Sequence, residues 1–132
     1  MPAINKLIVL WLLTLVGMML HFNYHIGELF YGIDVVRPDS DGTVPIGVFI
    51  IRTIYYHLPM VWILIILYAK KTWIRFPLFL ISAVYALSHL GHLVGELLNP
   101  ERSPSQISLL VLVVVLASIL VYEHFGYWKK GK

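Results

Sequence analysis

The chain contains no cysteine. Its absence excludes disulfides, thiolate metal sites, iron–sulfur clusters and cysteine nucleophiles. Charge is the second scarcity: only 13% of the 132 residues are charged, against 59% hydrophobic. A soluble domain of this size cannot hide so much apolar surface, because small domains bury the smallest fraction of what they expose unfolded. Lipid is therefore the expected solvent for most of the chain. No nucleotide, phosphate or nucleophile-triad motif is present. The formal charge of +3 does not point to nucleic acid, since the basic residues sit in short clusters at the ends of apolar runs, where membrane topology places them. No small-residue cleavage site ends the first apolar run, which continues into His21 and His25, so a retained helix is expected rather than a signal peptide.

What the chain does have is four long apolar runs: Ile4 to Phe30, Pro45 to Ala69, Phe76 to Leu98 and Ile107 to about Phe125. Each exceeds the roughly 18 residues that mark a span of a 30 Å hydrocarbon core. The stretch from Asp34 to Val44 is turn-rich, with Pro38, Asp39, Ser40, Asp41 and Gly42. Lys70 to Arg75 is a tight basic turn, and Pro100 and Pro104 break the chain between Asn99 and Ser105. Connections this short make neighbours antiparallel. The expected fold is an all-α integral membrane protein, one domain built as a four-transmembrane-helix up-down bundle. Lys6, Lys70, Lys71, Arg75, Lys129, Lys130 and Lys132 fall at one end. Arg37 and Arg102 fall at the other, among Asp34, Asp39, Asp41 and Glu101. Lysine and arginine collect on the cytoplasmic side, so an inner-membrane protein with both termini cytoplasmic and two acidic loops outside is expected.

The first run ends in His21-x-x-x-His25-x-x-Glu28 and the third in His89-x-x-His92-x-x-x-Glu96. Residues three, four and seven apart share a helix face, so each helix carries a stripe of two imidazoles and a carboxylate. A fifth histidine, His57, lies within the second run. Counting from Lys6 to His21, from Lys70 back to His57 and from Arg75 to His89 gives about 13 to 15 residues, or roughly 20–22 Å of rise. The expectation is one layer of His21, His57 and His89, with His25 and His92 a turn further out and Glu28 and Glu96 beyond them. This puts the cluster in the outer leaflet half.

Ionisable groups in a membrane are costly and normally face the bundle interior. A bound metal gives seven such groups a common reason. Imidazole and carboxylate suit iron, copper, zinc or manganese, and inward Glu and His at i, i+3 spacing is how di-iron carboxylate bundles are built. Seven ligands exceed the need of one ion, so the expected cofactor is two iron or copper ions, with zinc and haem b as alternatives. The bland reading is a polar network that glues helices together. The pairs His21-x-x-x-His25 and His89-x-x-His92 resemble the histidine boxes of membrane fatty-acid hydroxylases and desaturases. The likeness covers these two short motifs. The doubled His-His and the greater length of that family are missing, so it implies shared metal chemistry and no membership.

Around the stripes, Arg52 is expected level with His25 and His92, either paired with Glu28 or Glu96, facing an anionic head group, or snorkelling to the interface. Tyr24, Tyr55, Tyr56 and Tyr85 are second-layer candidates. Gly91-x-x-x-Gly95 reads as a close-packing motif, and Gly17 and Gly27 as further room for a helix or a flat cofactor. In the fourth run the only ionisable residues, Glu123 and His124, fall near Lys129 and read as interfacial anchors beside Tyr127 and Trp128.

Four functions compete. The leading expectation is a dinuclear oxidoreductase acting near the outer face on an apolar or lipid-borne substrate, with His21, His25, His57, His89 and His92 as ligands and Glu28 and Glu96 ligating, bridging or relaying protons. A hydrolytic zinc site is a variant of it. The second is a haem b electron-transfer subunit. The third is a metal-binding accessory subunit of a larger membrane complex, since one helix is greasy all round; other membrane subunits or a second copy would be partners beside the bilayer. The fourth is a metal or proton transporter; against it, the polar cluster is expected to fill one leaflet and not to continue along the inner half of the bundle.

Overall fold

The computed structural model describes residues 1–36, 40–69, 71–99 and 103–130. Arg37, Pro38, Asp39, Lys70, Pro100, Glu101, Arg102 and Lys132, which contribute to the expected loops and charge asymmetry, lie outside them. Helix α1 (Ala3–Gly27) runs into a 3-10 turn, Glu28–Tyr31. Gly32 ends that turn at φ 76, and its N–H reaches the carbonyls of Glu28 and Leu29; only glycine adopts that left-handed conformation at no steric cost. Helix α2 (Ile46–Arg52), a π turn (Thr53–His57) and α3 (Leu58–Tyr68) form one continuous span. Helix α4 (Arg75–Leu98) follows a 3-10 turn, and α5 (Pro104–Lys129) completes the chain. Among the described residues all the regular structure is helical, and four helical segments are long and apolar enough to cross a membrane.

The π turn has a local cause. Pro59 has no N–H to donate and its ring crowds the preceding turn. The N–H of Leu58 reaches back five residues to the carbonyl of Thr53, so the carbonyl of Ile54 has no backbone donor ahead of it. The hydroxyl of Tyr85 on α4 donates to that carbonyl. A proline in the second span thus fixes where a tyrosine of the third docks.

Helix α5 packs on both α1 and α4, and α1 also packs on α3. Among the described glycines only Gly17 is in close contact: a Cβ there would meet Cγ2 of Val113 at 2.6 Å. Gly27, Gly91 and Gly95 have open space where a Cβ would stand. The expected close packing at Gly91-x-x-x-Gly95 is therefore corrected: the small-residue contact is on α1, against α5. The core is formed by Leu7, Trp11, Ile63, Ile66, Leu78, Tyr85 and Leu120. Large apolar side chains such as Leu20, Leu64, Leu87 and Leu112 stand exposed along the outside of the helices. That inverts the soluble pattern, in which large exposed apolar surface is rare, and it fits a lipid-facing exterior.

One end of the molecule is basic and aromatic. Lys6 Nζ is 2.9 Å from Glu123 Oε1. Arg75 lies 4.2 Å over the Tyr127 ring and donates to the Tyr127 carbonyl at 3.4 Å. Phe76 and Phe79 pack against Trp128. Aromatic rings beside cationic residues are the usual furniture of a membrane interface.

Candidate functional site

At the opposite end, His21 and His92 bring α1 and α4 together. Their Nε2 atoms are 3.0 Å apart, and their rings meet edge-on with centroids 4.9 Å apart. His25, one turn along α1, lies against the His21 ring at 4.8 Å. The offset of 71 residues between His21 and His92 also sets His25 level with Glu96, and Glu28 level with Asn99. These four line one cleft of about 450 Å³ together with Asp34 and Gln106.

This register differs from the expected layer of His21 with His89. The reason can be read along α5. Lys6 pairs with Glu123, whereas Arg75 sits at Tyr127, one helical turn nearer the end. The two cations do not mark the same depth, so equal counts from them misalign α1 and α4 by about one turn, or 5.4 Å. His89 consequently lies one turn below the His21–His92 contact. It is only 1% exposed, and among the described residues neither of its ring nitrogens has a hydrogen-bond partner. A neutral imidazole carries one N–H and one lone pair, and each buried polar group left unpaired costs about 1–3 kcal/mol. Nδ1 of His21, a residue 5% exposed, is unpartnered as well.

Sequence reasoning missed Gln106. It is 1% exposed, and its Nε2 lies 3.1 Å from His25 Nδ1 and 2.9 Å from Glu28 Oε1. A fourth helix starting at Ile107 leaves Gln106 in a loop. Pro104 at the head of α5 is the signal that corrects it. Proline favours the first helical turn, where its missing N–H costs nothing, and a start there puts Gln106 inside the bundle.

Two expected members sit elsewhere. His57 is exposed on the second span and lines a groove with Phe49, Arg52 and Tyr56, so the structure does not bring it to the other histidines. Arg52 shares that groove and does not line the cleft of Glu28 and Glu96. Tyr24 is exposed near Glu28 in a neighbouring cleft. Tyr55 does reach the site: its hydroxyl meets Ser88 and its ring lies 5.4 Å from that of His89.

His124 is corrected too. It is fully buried, and its Nε2 accepts a hydrogen bond from Trp11 Nε1 at 3.0 Å; only its neighbour Glu123 turns out, to Lys6. With Thr14 and Ser82 also buried, polar side chains continue from the cluster towards the basic end of the bundle.

Among the described residues, no three His, Asp or Glu side chains are placed to hold a metal ion. His21 and His92 bring two imidazole nitrogens within 3.0 Å of each other. The chain matches no protein-family model, no curated protein and no solved structure.

Proposed function

We propose that this chain is a membrane-embedded metalloprotein whose histidine cluster binds two transition-metal ions, iron or copper, and carries out redox chemistry on an apolar or lipid-borne substrate. The observation that carries the reading is the pair of Nε2 atoms on α1 and α4, 3.0 Å apart, with an unpartnered, buried His89 one turn away. Two imidazoles at this separation share one N–H at most, and a cation bound by both, about 2.0–2.1 Å from each nitrogen, would replace that shared proton with two dative bonds. His21, His92 and His89 are soft enough for iron or copper. His25, Glu28 and Glu96 face the cleft and supply further ligands or move protons. Gln106 holds His25 and Glu28 in place, the role that outer hydrogen bonds play around metal ligands. His92 is exposed on the flank of the bundle, which gives an apolar substrate lateral access. In this reading the chain is an up-down bundle in the cell's inner membrane, with the lysine-rich end and both termini cytoplasmic and the cluster in the outer leaflet half.

The test is metal content and the visible spectrum of protein purified in mild detergent. About two iron or copper ions per chain, without a Soret band, is the expected result for the dinuclear site. A Soret band replaces it with a haem b carrier. A protein that holds neither metal nor haem leaves a polar packing network, and the accessory-subunit reading then stands first.

A further inference from the structure

Arg52 is the only lysine or arginine of the second span, and it turns away from the carboxylates. It is the last residue of α2 and stands exposed on the outside of the bundle. Among the described residues it makes no ion pair or hydrogen bond. Glu28, Asp34 and Glu96 line the cleft beside Gln106 instead. An ionisable residue inside a spanning helix normally faces the bundle interior and finds a partner there. Arg52 does neither, which leaves its counter-charge to come from outside the bundle. No described carboxylate lines its groove of about 630 Å³; Tyr56 and His57 supply the other polar groups, and Val44, Ile46 and Phe49 the apolar ones. The π turn assembles this set. In a regular helix a residue five positions on is rotated by about 140°, which would part His57 from Arg52. A π turn pairs i with i+5 and sets them one above the other. The wide turn at Thr53–His57 therefore puts the imidazole on the arginine's face. Such turns are rare and collect at functional sites. Pro59 accounts for how this one forms, and the groove for what it achieves.

We propose that Arg52, Tyr56 and His57 form a binding site for an anionic phospholipid in the leaflet opposite the basic end. The site rests on the bilayer placement given above and is independent of the metal reading. Arg52 lies six residues inside Ile46, about 9 Å of rise. Helical side chains lean towards the N-terminus, so its long stem carries the guanidinium back to the end of the span, where headgroups lie. The planar guanidinium forks onto two oxygens of a phosphate diester. Tyr56 and His57, one turn deeper, bring an O–H and a ring N–H to the level of the same lipid's ester carbonyls. The apolar walls serve its chains, which a free phosphate lacks. Charge complementarity then selects among lipids. A net-negative head such as phosphatidylglycerol leaves no charge unanswered. The ammonium group of phosphatidylethanolamine or phosphatidylcholine would meet Arg52 with no carboxylate to receive it.

The absence of cysteine makes the experiment selective, since one introduced thiol carries the only label. A bimane on Gly47→Cys, where a side chain meets nothing within 4 Å, reports lipid at the groove through quenching by nitroxide-labelled lipid in phosphatidylcholine vesicles. In the otherwise unaltered chain, labelled phosphatidylglycerol should quench as if enriched about tenfold over labelled phosphatidylcholine at equal mole fraction, the joint effect of one cation and two neighbouring donors. Arg52→Gln should bring that ratio to about one. Tyr56→Phe and His57→Leu should each lower it by about twofold or more. Lys71→Gln, which removes the same charge at the basic end, should leave it unchanged. No enrichment in the unaltered chain, or an unchanged ratio in Arg52→Gln, overturns the proposal. A ratio that falls in Arg52→Gln but in neither Tyr56→Phe nor His57→Leu shows an arginine attracting headgroups by charge alone, and overturns the site as well. Inorganic phosphate at millimolar concentration should not relieve the quenching; relief overturns the lipid assignment in favour of a free anion. Unchanged helical circular dichroism identifies folded variants. Where Arg52→Gln fails to fold, Arg52→Lys keeps the charge without the fork and should still lower the ratio. Protein that does not enter the vesicles defeats the bilayer placement together with this site, and protein that inserts without lipid preference defeats this site alone.

Discussion

His21 on α1 and His92 on α4 touch nitrogen to nitrogen at 3.0 Å, a side-chain contact between two helices that both pack on α5. The neighbouring groups differ in what they owe to it. His89 is buried with no hydrogen-bond partner among the described residues, whereas His57 faces out with Arg52.

Replacing His92 or His21 by Ala should therefore abolish stoichiometric metal binding, and His89→Ala should lose most of it. His57→Ala should leave it unchanged. Metal analysis of the four purified variants checks this. Loss of metal in His57→Ala with retention in His92→Ala would place the centre on the second span instead.

Gln106 donates towards two groups from a helix that carries no other member of the site. Gln106→Met conserves its volume but leaves His25 Nδ1 and Glu28 Oε1 without their donor. The expected cost is about 1–3 kcal/mol for buried groups left unpaired, together with weaker metal retention, since loss of an outer hydrogen bond lowers metal affinity by about 10–100-fold. Thermal unfolding in detergent and competition with a chelator measure the two effects separately. Stability lost at unchanged affinity would make Gln106 a packing residue only.

The four helices long and apolar enough to cross a membrane are legible in the sequence, because unbroken apolar runs of that length are rare in other settings. So are the two stripes that end in Glu28 and Glu96, since i, i+3 and i+4 spacing is a property of the helix itself. Relative depth is not legible. Lys6 and Arg75 look equivalent as boundary cations, yet one answers to Glu123 and the other to Tyr127, and only the packed structure exposes that one-turn difference. Which face of the second span turns inward is equally hidden. His57 sits in a π turn imposed by Pro59, and a π turn rotates the helix face away from what a regular 3.6-residue count gives. His124 escapes for a different reason: nearness to Lys129 along the chain says nothing of which face carries it, and that face meets Trp11.

The contact of Gly17 with Val113 predicts an asymmetry among the glycines. Gly17→Ala places a methyl 2.6 Å from Cγ2 of Val113, an overpacking that should cost about 1–3 kcal/mol. Val113→Ala in the same chain should recover part of the loss. Gly91→Ala meets nothing within 4 Å and should be neutral or stabilising, by at most about 1 kcal/mol from helix propensity. Chemical unfolding of the three variants in detergent tests this. If Gly91→Ala were the damaging change, the close helix contact would lie on α4 after all.

Tyr85 and Pro59 should show energetic coupling although neither touches the other's functional atom. The Tyr85 hydroxyl donates to the Ile54 carbonyl, which lacks a backbone donor because residue 59 has no N–H. Tyr85→Phe removes that donor and should destabilise the bundle by about 1–3 kcal/mol. Pro59→Ala restores a backbone N–H, lets the turn from Thr53 to His57 relax towards an α-helix and supplies the carbonyl from within its own helix. In the Pro59→Ala background, Tyr85→Phe should then cost measurably less. A double-mutant cycle isolates that coupling. Strictly additive costs would mean that the π turn holds its shape without the proline, and that the tyrosine is placed by the rings of Trp11 and His89 alone.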